Sequence, residues 1–234
     1  MVHQKTIFRQ PSSFASFLPL SVSSYASTTL PFVLAAHRDP STASLAALDD
    51  ALDAAIVCTV GRRASVAQGR ALLSIWERSF AGSRGATDRG GVEGLRGFSG
   101  LLRTSSSSSS SSAAAAASSS TNGSSWSDDP PPVAAHLAPL FGAICALVGL
   151  SLEQTAYVFM LGHVKALVSA AVRAGMFGPY QAQKTLASGA VQGLISAMVE
   201  REWETQVEMA GQEVPVMDLW VGRHEVLYSR IFNS

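Results

Sequence analysis

Apolar residues recur at intervals of three and four along most of this chain. Nowhere do they alternate with polar residues over the length of a strand, so the pattern predicts an all-α helical bundle. The clearest stretch runs from Ser151 to Gln183, where Ala156, Phe159, Met160, His163, Leu167, Ala170, Ala171 and Ala174 trace one face. Ser151 with Gln154 three residues on is a capping box, each side chain satisfying an orphan N–H of the first turn. Gly178-Pro179 stops the pattern, and Pro179 suits the first turn of a following helix, where no N–H is missed.

The same spacing marks the other elements. Ser21 to Arg38 reads as short helices flanking Pro31. After the turn at Asp39-Pro40, the residues Leu45, Leu48, Leu52 and Ile56 define a helix with Asp49, Asp50 and Asp53 on its wet side. Arg62 to Ser65 reads as a break. The next helix shows Ala67, Ala71, Leu72, Ile75, Trp76 and Phe80 on one face. Beyond Pro179 a helix over Tyr180 to Arg201 carries Ala182, Leu186, Ala190, Leu194, Ala197 and Met198, a face small enough for close helix approach. A last amphipathic segment follows Pro215, through Met217, Trp220, Val221, His224, Leu227 and Tyr228.

These elements imply four regions. Residues 1–20 are acid-poor, as in a transit peptide, but their apolar run is short and broken by proline, and we read them as a disordered or truncated leader. Residues 21–80 hold the N-terminal helices. Residues 81–132 pass from Gly and Arg into Ser105 to Ser112, Ala113 to Ala117 and three prolines, a composition that cannot offset its ordering entropy; we read a long disordered Ser/Ala/Pro insertion. Residues 133–234 hold the C-terminal helices of the same domain.

Seventeen basic against seventeen acidic residues leave no net field, which speaks against nucleic acid and against a membrane surface. Cys58 and Cys145 each lie in apolar helical patterns and read as small buried hydrophobes of a reducing, cytoplasmic compartment, with a metal pair the minor alternative.

Catalytic apparatus is sparse. The chain has no phosphate-binding GxxxxGK[ST] loop, no GxSxG elbow and no HExxH pair, which argues against an enzyme. His163 reads as a satisfied core histidine. Asp218 and His224, six apart, are too far along a helix for an ordinary two-ligand site, and a partner contact or local hydrogen bond suits them better. Arg230, Ile231 and Phe232 put a cation and two large apolar groups in the last residues, where termini are usually polar and frayed. Either their own bundle or another subunit should cover them.

Four runs, SSYASTTLPFVLAAHRDP, CTVGRRASVAQGRALLSIWERSF, HVKALVSAAVRAGMFGPYQAQ and DLWVGRHEVLYSRIFNS, resemble the urease accessory protein F (UreF) family in its eukaryotic branch. The resemblance covers residues 21–80 and 136–234. It departs from the family before Ser21, where an LPxGxFxxSxGLE-like helix signature is absent. The resemblance implies a non-enzymatic, all-helical, homodimeric adaptor that assembles with urease accessory proteins H (or D) and G to promote nickel insertion into apo-urease; we assign the chain no cofactor and place no metal ligand in it, any nickel path running through the assembled complex. It further implies that Tyr228, Arg230, Ile231, Phe232 and Ser234 dock on the H/D partner, and that Gly178, Pro179, Tyr180 and Gln183 shape a partner surface. Asp218 and His224 match family positions as well.

Two other classes remain. One is a GTPase-activating protein that inserts Arg62, Arg63 or Arg173 into a partner's nucleotide site. The other is a membrane-associated protein anchored by Val133 to Leu152, the longest uncharged run, although about 20 strongly apolar residues are needed to span.

Overall fold

The computed structural model describes residues 11–80, 89–115, 133–211 and 221–226. Among these residues there is no strand, and the all-α expectation holds. The elements are α1 (Pro11–Arg38), α2 (Thr42–Ala55), α3 (Thr59–Ser79), α4 (Arg89–Ala115), α5 (Leu137–Leu147), α6 (Leu152–Arg173), α7 (Pro179–Leu186) and α8 (Gly189–Glu202), with short 3-10 turns at Val207–Met209 and Gly222–Val226.

Helix α1 is the axis, packed by α5, α6, α8 and α2. It is continuous through Pro19 and Pro31, which corrects the expectation of two short helices. A proline inside a helix costs about 3 kcal/mol. Leu30, Phe32, Val33 and Leu34 around it are all but inaccessible, and burying each such side chain returns about 1.5–3 kcal/mol, so packing on both sides outweighs the missing bond. The helix also starts ten residues before Ser21. Phe14 and Leu18 are core residues, and the Phe14 ring meets Phe177 edge-on at 5.1 Å; the part of the leader from Pro11 is therefore structure, not disorder.

The insertion needs a similar correction. Its first half is α4, with Leu95 and Phe98 wholly buried. Glycines at the contact face let it lie against the turn before α2: a Cβ on Gly94 would stand 2.1 Å from the Pro40 carbonyl oxygen, and Thr42 Oγ1 donates to the Gly94 carbonyl at 2.9 Å. Arg103 reaches Glu77 of α3 at 3.0 Å, and Ser99 donates to the same carboxylate. The serine-rich remainder past Ala115 lies outside the described residues.

Three further boundaries move. Helix α3 runs straight through Arg62 to Ser65, because Cys58 caps it by accepting the Gly61 N–H at 3.3 Å. Its buried face is Gly69, Leu73 and Trp76, whereas Ala67, Ala71, Ile75 and Phe80 face solvent. Tyr180 to Arg201 is two helices, since Ser188 caps α8 by accepting the Val191 N–H. That restart rotates the core face onto Val191, Ile195 and Val199, leaving Ala190 and Ala197 exposed, and no neighbour comes within 4 Å of a Cβ at Gly193. Close helix approach occurs instead at Gly69 and Gly142. Helix α6 keeps the expected capping box and Pro179 opens α7, but Val164 and Val168 join its core face while Ala174 is exposed.

The anchor reading of Val133 to Leu152 finds no support: α5 has 11 residues, about 16 Å of helix, and is packed inside the bundle. Helices α1 and α6 are long and apolar enough to span a membrane by length and composition, and both are packed helices of this core.

Candidate functional site

The polar heart of the molecule is an aspartate assigned by periodicity to the solvent side. Asp49 on α2 is 1% exposed, and its carboxylate accepts three backbone N–H groups that lead into α5: Ala134 at 2.6 Å, Ala135 at 3.0 Å and His136 at 2.6 Å. The segment needs this help because Ala135 sits at φ 72°, a conformation an alanine rarely adopts. His136, fully buried, is placed by the same segment. Its Nε2 lies 2.8 Å from Asp53 and its Nδ1 3.0 Å from Ser65 Oγ, so α2, α3 and α5 meet at one imidazole.

Asp53 in turn holds Arg62 through two bonds of 2.6 and 2.9 Å. The Arg62 guanidinium, more than any other group, keeps the Asp53 carboxyl below the usual carboxylate range. Next along α3, Arg63 pairs with Glu225, and Thr59 donates to the other oxygen of that carboxylate at 3.1 Å, which also lowers its pKa, Arg63 contributing most. Two of the three arginines proposed as GTPase-activating fingers are thus engaged within the chain.

Those contacts place His224. The 3-10 turn Gly222–Val226 lies against the start of α3, and His224 Nδ1 stands 3.2 Å from Cys58 Sγ. Cys58 is therefore a half-buried helix cap rather than a core residue, whereas Cys145 is buried as expected, with its thiol pushed up to about 11, burial being the main cause. Both thiols are free. Among the described residues no three His, Cys, Asp or Glu side chains converge as metal ligands.

The second group of expected contact residues forms the α6–α7 junction. Gly175 at φ 72° ends α6, Gly178 caps α7, and Pro179 begins it. Tyr180 is 91% exposed, and Gln183 is also on the surface. The junction rests on α1 through Phe177 and on α8, while His224 sits on α3, so the structure holds these two groups on separate elements. Asp218, Tyr228, Arg230, Ile231, Phe232 and Ser234 lie outside the described residues.

His163 is a satisfied histidine, stacked on Tyr25 with ring centroids 3.9 Å apart and within 3.3 Å of Ser21 Oγ. Burial, the dominant effect, lowers its pKa to about 4 and raises that of Tyr25. The unfolded histidine titrates near the ordinary value of 6.5, so between pH 6.5 and about 4 the unfolded chain binds more protons than the folded one. Stability should therefore drop as the pH is lowered through that window, and His163→Phe, which keeps the stack, should flatten the slope. A denaturant midpoint measured at pH 7, 5.5 and 4.5 tests this; an unchanged slope in the variant refutes it.

The chain is thus of the all-α bundle class, with Asp49, Asp53 and Glu202 tying helices together and a tyrosine exposed at the α6–α7 junction. Comparison with known proteins narrows the class. The UreF family model matches residues 8–190. A protein of Schizosaccharomyces pombe named "Uncharacterized urease accessory protein UreF-like" is 33% identical over 232 residues, 99% of this chain and 85% of that one. "Urease accessory protein F" of Oryza sativa subsp. indica is 29% identical, covering 98% of this chain and 74% of the relative. "Urease accessory protein 6" of Cryptococcus neoformans is 26% identical over 93% of this chain and 78% of its own length. The chain belongs to the UreF family, and these relatives carry the name of urease accessory proteins.

Proposed function

We propose that this chain is a urease maturation adaptor which, as a dimer in the cytoplasm, assembles with urease accessory proteins H (or D) and G and promotes nickel insertion into apo-urease, its function residing in contacts rather than in bond-making. The observation that carries the reading is the family match across residues 8–190, which begins ahead of the first residue of α1 and takes in residues 8–20 of the stretch that the sequence alone suggested was a leader. The exposed Tyr180, in the first turn of α7 after Pro179, supports it as a ready protein contact. So does the contact of Gly222–Val226 with α3, where His224 meets Cys58 and Glu225 meets Thr59.

The test is co-purification of the full chain, and of a version ending before Ser229, with the matching H/D protein, read by size exclusion with mass determination. We expect a complex with the full chain and at least a tenfold loss of affinity without the tail, since Tyr228, Ile231 and Phe232 would act as buried anchors worth about 1.4 kcal/mol or more together. Equal binding by both versions would refute tail docking, and no binding by either would refute the adaptor reading.

A further inference from the structure

Helices α6 and α8 leave between them an open groove of about 840 Å³, bounded by Tyr157, Val158, Val199, Trp203 and three glutamates, Glu153, Glu200 and Glu204. We propose that this groove docks an amphipathic, lysine- or arginine-bearing helix of a partner protein.

The floor is apolar and held in place. Val158 is 43% exposed, the Tyr157 hydroxyl donates to Gln192, and the Trp203 carbonyl is gripped by Arg38 at 2.8 Å. A partner helix meeting such a floor spends little on ordering it, and a half-covered tryptophan beside a tyrosine is the kind of anchor pair on which interface energy concentrates.

The rim selects the charge. Among the described residues, no cationic side chain lines the groove and none of the three glutamates is in an ion pair. Glu153 in the first turn of α6 is accounted for by the helix dipole, which favours an anion there. Glu200 and Glu204 are the reverse case: they sit at and just past the C-terminal end of α8, where the dipole disfavours anions. Neighbouring Glu202 shows how this chain compensates such a charge when it needs to, for Arg201, Ser27 and Thr205 all bond its carboxylate. Glu200 and Glu204 are left without an ion-pair partner at the α8 side of the apolar floor, with Glu153 contributed by α6. A helix presenting apolar residues at i, i+3 and i+4 with cations on its flanks would fill the floor and neutralise the rim together.

The test uses a fluorescent peptide of about 14 residues, roughly two heptads, with leucine and lysine in amphipathic helical order, and a second peptide with glutamate for lysine. Anisotropy with the full chain should show binding of the lysine peptide only, weakening as salt rises through the screening range. The variant E153Q/E200Q/E204Q should weaken it at least tenfold, and so should Val158→Asp. The comparison variant D39N/D50N/E93Q, altered at acids away from the groove, should bind as the parent does. Glu200→Gln and Glu204→Gln should leave the melting temperature unchanged or raised, which separates lost binding from lost fold. The proposal is overturned if the lysine peptide does not bind, or if the comparison variant weakens it equally. It is also overturned if sedimentation shows that the groove variants abolish a self-dimer, which would make the occupant a second copy.

Discussion

Asp49→Ala should lose about 3–5 kcal/mol of folding stability, the cost of stripping a buried charged acceptor from its partners. The carboxylate is the common acceptor for the N–H groups of Ala134, Ala135 and His136, and its removal orphans all three inside the core. The backbone of Ala135 would then hold its positive φ with nothing to offset the strain, and His136 would lose the placement that lets it bridge Asp53 and Ser65. Against a total stability of about 5–15 kcal/mol for a domain, such a loss places the variant near the edge of folding at 37 °C. Asp49→Asn retains one acceptor oxygen and should fall between the two. Urea unfolding followed by circular dichroism reads the difference, and an alanine variant within 1 kcal/mol of the parent, on the order of one ordinary hydrogen bond, would show that the carboxylate does not order this segment.

What the sequence made legible, and what it concealed, divides along a physical line. Elements announced by large apolar residues or by caps were readable: the Ser151–Gln154 box, Pro179 at the head of α7, and the stripe of Phe159 and Met160 on α6. Elements whose contact face is glycine were not. Helix α4 lies in a stretch whose Gly, Ser, Ala and Pro composition reads as disorder, yet the missing side chains of Gly94 and Gly97 are what let Leu95 and Phe98 reach the core. The face of α3 was misplaced for the same reason at Gly69, where a Cβ would meet the Ala135 carbonyl oxygen at 2.1 Å.

The candidate contact residues divide in a related way. Local chemistry pointed to the α6–α7 junction, because a Gly-Pro stop is readable in one dimension. The Asp49 hub, the His136–Asp53–Arg62 chain and the seating of His224 on Cys58 join residues 83 to 166 positions apart, apart from the nearby Asp53–Arg62 link, and only folding brings them together. Asp49 was further masked by its own helix, where it stands beside Asp50 and near Asp53 and looks like part of a solvated face. No residue pattern within α2 distinguishes the buried acid from its exposed neighbour; the difference lies in three N–H groups contributed by the approach to α5.

Gly142→Ala should destabilise the fold by about 3 kcal/mol, the upper end of ordinary overpacking, although alanine is the better helix former by about 1 kcal/mol. The position lies where α5 crosses α1, and an added Cβ would stand 2.2 Å from the Val33 carbonyl oxygen, 3.0 Å from its carbonyl carbon and 3.1 Å from the His37 nitrogen. All three atoms are backbone, so no rotamer change relieves the clash; one helix must move. Helix α1 has nowhere to go, since Phe32, Val33 and Leu34 are packed to 1% exposure or less and His37 Nε2 is tied to the Leu150 carbonyl at 2.9 Å. A larger residue such as leucine should prevent folding. Gly162→Ala supplies the matched comparison: it is exposed in the interior of α6 with no atom within 4 Å of the new Cβ, and it should raise stability by about 0.5–1 kcal/mol. Opposite signs for one chemical change at two helical glycines, measured by thermal and urea unfolding, would establish that the α1–α5 crossing depends on backbone contact. Equal signs would mean that α5 can slide, and that the approach of these helices is set by the side chains around Gly142 instead.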